Sequence, residues 1–200
     1  MSDNIRVGLI GYGYASKTFH APLIAGTPGM ALAAVSSSDA AKVHADWPSV
    51  PVVSEPKHLF NDPNIDLIVI PTPNDTHFPL AKAALEAGKH VVVDKPFTVT
   101  LSQARELESL AKHCGRILSV FHNRRWDSDF LTVSALINEG QLGEVCYFES
   151  HFDRFRPQVR QRWREQGGPG SGIWYDLGPH LLDQAVVLFG LPVSITVDLA

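Results

Sequence analysis

The sequence predicts an α/β chain: a doubly wound parallel sheet, followed by the opening of an α+β unit with an open, mostly antiparallel sheet. Three observations lead there. Over the first 121 residues, short apolar runs alternate with longer amphipathic stretches. Those runs are rich in Val, Ile and Leu, as expected of parallel strands buried on both faces. After Phe121 the rhythm changes to helices, one long alternating aromatic segment and a loop rich in Gly and Arg.

The elements follow in order. Residues 5–11 (IRVGLIG) form the first strand, and 14–25 the helix behind it. Residues 32–37 (LAAVSS) are the second strand and 39–46 a short helix. A brief third strand spans 50–53, and 58–61 make one helical turn. Residues 66–70 (DLIVI) are the fourth strand. A helix over 75–87 stops at Gly88, a C′ position. Residues 90–93 (HVVV) are the fifth strand, 101–113 a strong helix, and 117–121 the sixth strand. Six strands in this rhythm fit two mononucleotide-binding halves. Beyond them, 127–139 read as a helix, 144–155 (EVCYFESHFDRF) as an antiparallel strand, 179–189 as a helix and 194–199 (SITVDL) as a further strand. The expected domains are residues 1–121 and residues 122–200. The second reads as incomplete, because the sequence halts within a strand and offers few residues for an independent core.

Bulk properties exclude several classes. The 200 residues are 44% hydrophobic and 19% charged, an ordinary globular composition. A net charge of −4 argues against nucleic acid or an anionic membrane as the main partner. No apolar run approaches the roughly 20 residues that span a bilayer. The N-terminus lacks a signal peptide's basic region, and Cys114 and Cys146 make no motif, so a reducing, cytoplasmic setting is expected.

Gly11-Tyr12-Gly13-Tyr14-Ala15-Ser16 follows a buried strand and opens a helix. In that context the first glycine permits a tight turn and the second lets the backbone approach a pyrophosphate. The helix N-terminus offers free N–H groups and the positive end of its dipole. Gly11, Gly13, Tyr14 and Ala15 are therefore expected to hold a dinucleotide in a Rossmann domain. Ser16 replaces the usual third Gly or Ala and loosens the motif. At the end of the second strand, where NAD enzymes usually carry an acidic residue, stand Ser36, Ser37 and Ser38, with Lys42 one turn into the next helix. Hydroxyls and a lysine suit a 2′-phosphate, so NADP is favoured over NAD. Alternatively, Ser38 or Asp39 simply caps the helix, which is compatible with either cofactor.

The carboxyl ends of strands four and five carry Pro71-Thr72-Pro73-Asn74-Asp75-Thr76-His77 and Asp94-Lys95-Pro96. This is the edge where doubly wound sheets bind ligands. Lys95, behind an apolar VVV run, could hydrogen-bond a substrate hydroxyl, or could be a surface lysine. Asp176 and His180 are four apart, so on a helix they share one face. A carboxylate there can orient the imidazole's tautomer, which suits His180 as a proton acceptor. By itself such a pair is usually a cap or a surface pair. Zinc is the competing chemistry, but no Cys or Glu ligand cluster matches it, and no metal is expected.

Together the stretches GLIGYGYAS, PTPNDTH, AGKHVVVDKP and GIWYDLGPHLLD resemble the Gfo/Idh/MocA family of oxidoreductases, over nearly the whole chain. SVFHNRRWDSDF and ESHFDRFRP look like its NADP-dependent scyllo-inositol dehydrogenase-like branch. The usual Glu before Lys-Pro is here Asp94. The resemblance implies hydride transfer between NAD(P) and a hydroxyl carbon of a polyol, inositol or sugar. It implies Lys95, Asp176 and His180 as the catalytic set. Pro71, Thr72, Asn74, His77 and Lys95 would lie near the cofactor, and Trp163 resembles a tryptophan that closes over it in some members. Lys95, Asn123, Arg124, Asp176 and His180 would meet substrate. The second domain would bind substrate and build a homo-oligomer when its sheet is complete.

The same resemblance extends to other functions. One is a non-catalytic dinucleotide-binding regulator, against which the intact Lys95/Asp176/His180 set argues. Another is a different NAD-dependent reaction, such as glycoside cleavage or biliverdin-type reduction. The run Arg154, Arg156, Arg160, Arg162 and Arg164 suits anionic ligands, or surface and interface ion pairs with Asp153 and Glu165, the preferred view.

Overall fold

The computed structural model describes residues 4–153, 155, 157–158 and 165–198. The chain divides into two compact units, Met1–Phe121 and His122–Ala200. Trp163 and the arginines at 154, 156, 160, 162 and 164 lie outside the described residues.

In the first unit the strands are β1 (Ile5–Ile10), β2 (Met30–Ser36), β3 (Val52–Val53), β4 (Leu67–Ile70), β5 (His90–Asp94) and β6 (Leu118–Phe121). They form one six-stranded sheet in the order β3-β2-β1-β4-β5-β6. Every pairing is parallel. The strand order reverses between β1 and β4, and a crevice opens there at the carboxyl ends.

Side chains alternate between two apolar layers. Ile68, Ile70, Val91 and Val93 join Leu85 of α4 (Asn74–Glu86) and Leu107 of α5 (Leu101–Cys114) on one face. Val7, Leu9, Val35 and Val69 join Ala21 and Ile24 of α1 (Ala21–Gly26) and Val43 of α2 (Ala40–His44) on the other. One further helical turn, α3 (Pro56–Phe60), adds Leu59 and Phe60 to the first layer. Each fully buried aliphatic side chain contributes about 1.5–3 kcal/mol.

The helix behind the glycine turn is not regular. Ser16–His20 form a π-helical segment that runs into α1. Pro22 explains the widening. It has no N–H to give the carbonyl four residues back, and its ring crowds that carbonyl. The Ala21 N–H reaches five residues back to the Ser16 carbonyl instead.

The second unit begins with a 3-10 turn (Asn123–Trp126), then α6 (Ser128–Asn138) and α7 (Ile173–Phe189). Two expectations are corrected here. Residues 145–153 and 194–198 form no strand. A strand exists through ladder bonds to a neighbour, and among the described residues of this unit neither segment has one. The third correction is the start of α7, which the sequence placed at residue 179 and which lies at Ile173. The Gly178-Pro179 pair reads as a breaker, yet it is inside the helix. Pro disfavours helical geometry in the preceding residue largely through that residue's Cβ, and Gly178 has none.

Candidate functional site

The first unit supplies a cradle at the β1/β4 crevice. Gly11 closes β1 with a φ of +79°, a left-handed conformation costly to any residue with a Cβ. Its N–H donates to the Ser36 carbonyl at 2.7 Å, which ties the turn to the end of β2. A Cβ at Gly11 would touch Thr72 Cγ2 at 3.5 Å, so the turns after β1 and β4 adjoin. A Cβ at Gly13 would meet no atom within 4 Å. Gly13 therefore faces open space where a ligand can press against bare backbone. Tyr14 and Ala15 follow as the first helical residues, whose N–H groups have no partner within the helix. These features fit a dinucleotide pyrophosphate.

Tyr12 points the other way, into the core, and its hydroxyl donates to Asp46 Oδ2 at 3.0 Å. Lys17 pairs with the same carboxylate at 2.8 Å. The Lys17 hydrogen bond, then the Tyr12 hydroxyl, hold the Asp46 carboxyl below its usual range. Burial, and then Asp46, push the Tyr12 phenol up. Neither Tyr12 nor Asp46 stood out in the sequence. Ser16, in the third glycine's place, is fully buried, and its hydroxyl has no hydrogen-bond partner among the described residues.

At the end of β2, Ser36 is buried, Ser37 is half-buried and Ser38 is exposed. The Ser37 hydroxyl takes the Asp39 N–H at 3.1 Å. Asp39 caps α2, its Oδ1 accepting the Lys42 N–H at 3.0 Å. The acidic side chain that follows this strand in sequence is thus engaged with its own helix.

The turn after β4 is organised by His77, which is fully buried. Its Nε2 lies 2.9 Å from the Thr72 carbonyl and its Nδ1 lies 2.8 Å from the Pro96 carbonyl. The imidazole is spent on these two carbonyls and braces Thr72 against the Lys95-Pro96 segment. Burial outweighs both carbonyls and the Asp94 charge and lowers its pKa. Asn74 starts α4 and is buried, while Pro71 and Thr72 are half-buried.

Lys95 follows β5 and is half-buried. Asp94 accepts the Lys95 N–H at Oδ1, 2.7 Å, and meets His20 Nε2 at Oδ2, 3.2 Å. Burial alone would raise the Asp94 pKa. The His20 hydrogen bond and charge, with the Lys95 N–H and charge, outweigh it and hold the carboxyl below its usual range. His20 is a residue that sequence reasoning missed, since a lone histidine in a helix carries no signal of its own.

In the second unit, Asp176 and His180 lie one turn apart on α7, with Gln184 a further turn on. His180 and Gln184 are buried and Asp176 is half-buried, which makes a polar stripe where an apolar one is the norm. Gln184 Nε2 donates to the Arg124 carbonyl at 3.0 Å. Arg125 grips Asp183 through Nε and Nη2, at 2.7 and 2.6 Å. The turn bearing Asn123 and Arg124 is thereby clamped to α7. The Arg124 guanidinium lies 5.0 Å from the Phe152 ring centroid, and Phe152 stands 6.5 Å from the His180 ring. Phe152 is a second residue the sequence did not single out. Gly178 has its own reason: a Cβ there would come within 2.8 Å of Trp174 Cε3. Among the described residues no cluster of His, Cys, Asp or Glu could hold a metal ion.

A parallel sheet in this order, with a glycine turn after its first strand, defines a dinucleotide-binding Rossmann domain. The chain belongs to the Gfo/Idh/MocA oxidoreductase family. Residues 5–122 match its NAD-binding Rossmann fold, and residues 134–200 match its C-terminal α/β domain. It is 87% identical to the uncharacterized oxidoreductase YdgJ of Escherichia coli K12 over 200 residues, covering 100% of this chain and 58% of that protein. It is 41% identical over 196 residues to the scyllo-inositol 2-dehydrogenase (NADP(+)) IolW of Bacillus subtilis 168, covering 98% of this chain and 55% of that one. The solved structure of YPO2259 from Yersinia pestis superposes with a TM-score of 0.90 at 76% identity, covering 96% of this chain and 54% of that one. The chain thus spans a little over half the length of these relatives. No helix among the described residues is long and apolar enough to cross a membrane.

Proposed function

We propose that the protein is an NAD(P)-dependent dehydrogenase that interconverts a CH–OH carbon and its carbonyl in a polyol, inositol or sugar, with NADP preferred. One observation carries this reading: Asp176 and His180 share a face of α7 inside a polar, largely buried stripe. An apolar helix face would pack better, so the stripe has a chemical use.

Each residue has a role in this reading. Gly11, Gly13, Tyr14 and Ala15 hold the pyrophosphate at the helix N-terminus. Ser36, Ser37, Ser38 and Lys42 meet the ribose and its 2′-phosphate. NADP is supported by Asp39, whose carboxylate is committed to capping α2, and by the NADP(+) in the name of its relative IolW. Pro71, Thr72 and Asn74 line the nicotinamide end, with His77 as the brace behind them. The nicotinamide, when bound, supplies the redox chemistry. His180 takes the hydroxyl proton on oxidation and returns it on reduction. Lys95 holds the reacting oxygen as charge develops on it. Asp176 orients His180 or bonds a neighbouring hydroxyl, and Asn123 and Arg124 meet the rest of the substrate.

Titration of NADP and NAD into the protein, followed by a polyol and inositol panel, tests the reading. Tighter binding of NADP and growth of the reduced-nicotinamide absorbance with a panel member are expected. Binding without any absorbance change across the panel would favour a regulator instead.

A further inference from the structure

We propose that His20 and Asp94 form a positioning pair for Lys95, so that the helix behind the glycine turn sets where the lysine stands. The proposal rests on the reading of Lys95 as a catalytic residue.

The two carboxylate oxygens of Asp94 do separate work. Oδ1 accepts the N–H of Lys95 at 2.7 Å and so fixes the peptide plane from which the Lys95 side chain departs. Oδ2 lies 3.2 Å from His20 Nε2. An ionised carboxylate can only accept, so His20 Nε2 carries the proton between them. Lys95, His20 and the nearby His77 are the titratable groups that act on this carboxylate or feel its charge. None of these three is acidic.

His20 comes from a different layer. It ends the π-helical segment that Pro22 imposes, and its side chain is 4% exposed. Its ring packs on Phe121 at 4.4 Å between centroids. Phe121 is the register partner of Asp94 across β5 and β6. The imidazole is thus wedged between a strand end and the carboxylate, with little room to move. A π segment is rare and is frequently found at functional sites. Here it delivers a buried donor from the cofactor-binding helix to the residue beside Lys95. A displacement of about 1 Å in a catalytic group can cost about 100-fold in rate, so such a buttress has a kinetic consequence.

The test compares His20→Phe, which keeps a ring on Phe121 but loses the donor, with His20→Gln, which offers an amide N–H in place of Nε2–H. Four readouts are taken: thermal unfolding, NADPH affinity, turnover on the polyol panel, and the ¹³C resonance of reductively dimethylated Lys95, assigned with Lys95→Arg. His20→Phe is expected to lower kcat about 10–100-fold. KM and NADPH affinity should stay within about threefold, and His20→Gln should stay within about threefold of the unaltered protein throughout. The Lys95 resonance should move in His20→Phe and not in His20→Gln. The proposal is overturned if the Lys95 resonance stays put in His20→Phe, or if turnover falls only in step with folded protein or NADPH affinity. Absence of turnover in the unaltered protein, with a Lys95 resonance that moves, would refute the dehydrogenase reading and uphold the pair.

Discussion

His77 Nδ1 lies 2.8 Å from the Pro96 carbonyl oxygen, so the turns after β4 and β5 share one buried joint. A neutral imidazole has one N–H, and the ring has a carbonyl at each nitrogen. Burial settles the balance toward the neutral form and lowers the pKa. The folded value is therefore below the unfolded value of about 6.5. Stability from this group is fully present above that pH and is lost as pH falls below it. His77→Asn should lower stability at neutral pH, yet flatten the decline below about pH 6.5. Chemical unfolding across that range measures both slopes, and equal slopes would contradict the assignment.

Asp94 acts lower in the pH range. Its folded pKa is depressed below the ordinary carboxylate value of about 3.9. The pair with His20 therefore stabilises the fold above that value and fades as pH falls through it. Asp94→Asn should remove this acid-limb contribution in chemical unfolding and, by taking away a charge that raises the His77 pKa, extend the His77 decline to lower pH.

The two motif glycines should separate folding from binding. Gly11→Ala places a Cβ at φ +79° and should cost about 1–2 kcal/mol of stability. Gly13→Val meets no protein atom within 4 Å of the new Cβ, so its stability should change by no more than about 0.5–1 kcal/mol. It should nevertheless abolish dinucleotide binding, because the side chain fills the space the pyrophosphate needs. Unfolding curves and NADPH titrations of both variants check this. Full affinity in Gly13→Val would move the pyrophosphate elsewhere.

In the second unit the Arg125–Asp183 clamp is the joint to break. Asp183 is 11% exposed and receives two short bonds. Arg125→Ala leaves that carboxylate without its main partner and should cost roughly 1–3 kcal/mol. Thermal unfolding reads this directly. Asp183→Asn, which keeps an acceptor, should cost less.

Gly178→Ala should displace the Trp174 indole, since the new Cβ would fall 2.8 Å from Cε3. Trp174 is 47% exposed and can swing outward, so its fluorescence should shift, while the new Cβ before Pro179 should lower the stability of the helix. The difference spectrum should vanish in a Trp174→Phe background.

Much of the first unit was legible because its chemistry is repetitive. Runs such as LIVI and HVVV, repeated between helical stretches, are what a parallel sheet buried on both faces uses, and the glycine turn marks its first crossover. Lys95 stood out for its place after such a run. His20 did not, because its role depends on a π segment that shifts the helix register and on Asp94, 74 residues away. Phe152 was hidden for a similar reason: its partners Arg124 and His180 are joined only by the fold. The alternation in residues 144–155 suggested a strand, but alternation specifies a face and not a neighbour to bond. The start of α7 was hidden behind Gly178-Pro179, where the glycine that looks like a breaker is what lets the proline stay helical.

The most direct test of the dehydrogenase reading is reduced-nicotinamide absorbance with NADP and the polyol and inositol panel, run in parallel on the unaltered protein and Lys95→Ala. Absorbance should grow with at least one substrate in the unaltered protein and vanish in Lys95→Ala, with NADP affinity retained in both. Unchanged turnover in Lys95→Ala, or no absorbance change in an unaltered protein saturated with NADP, would contradict it.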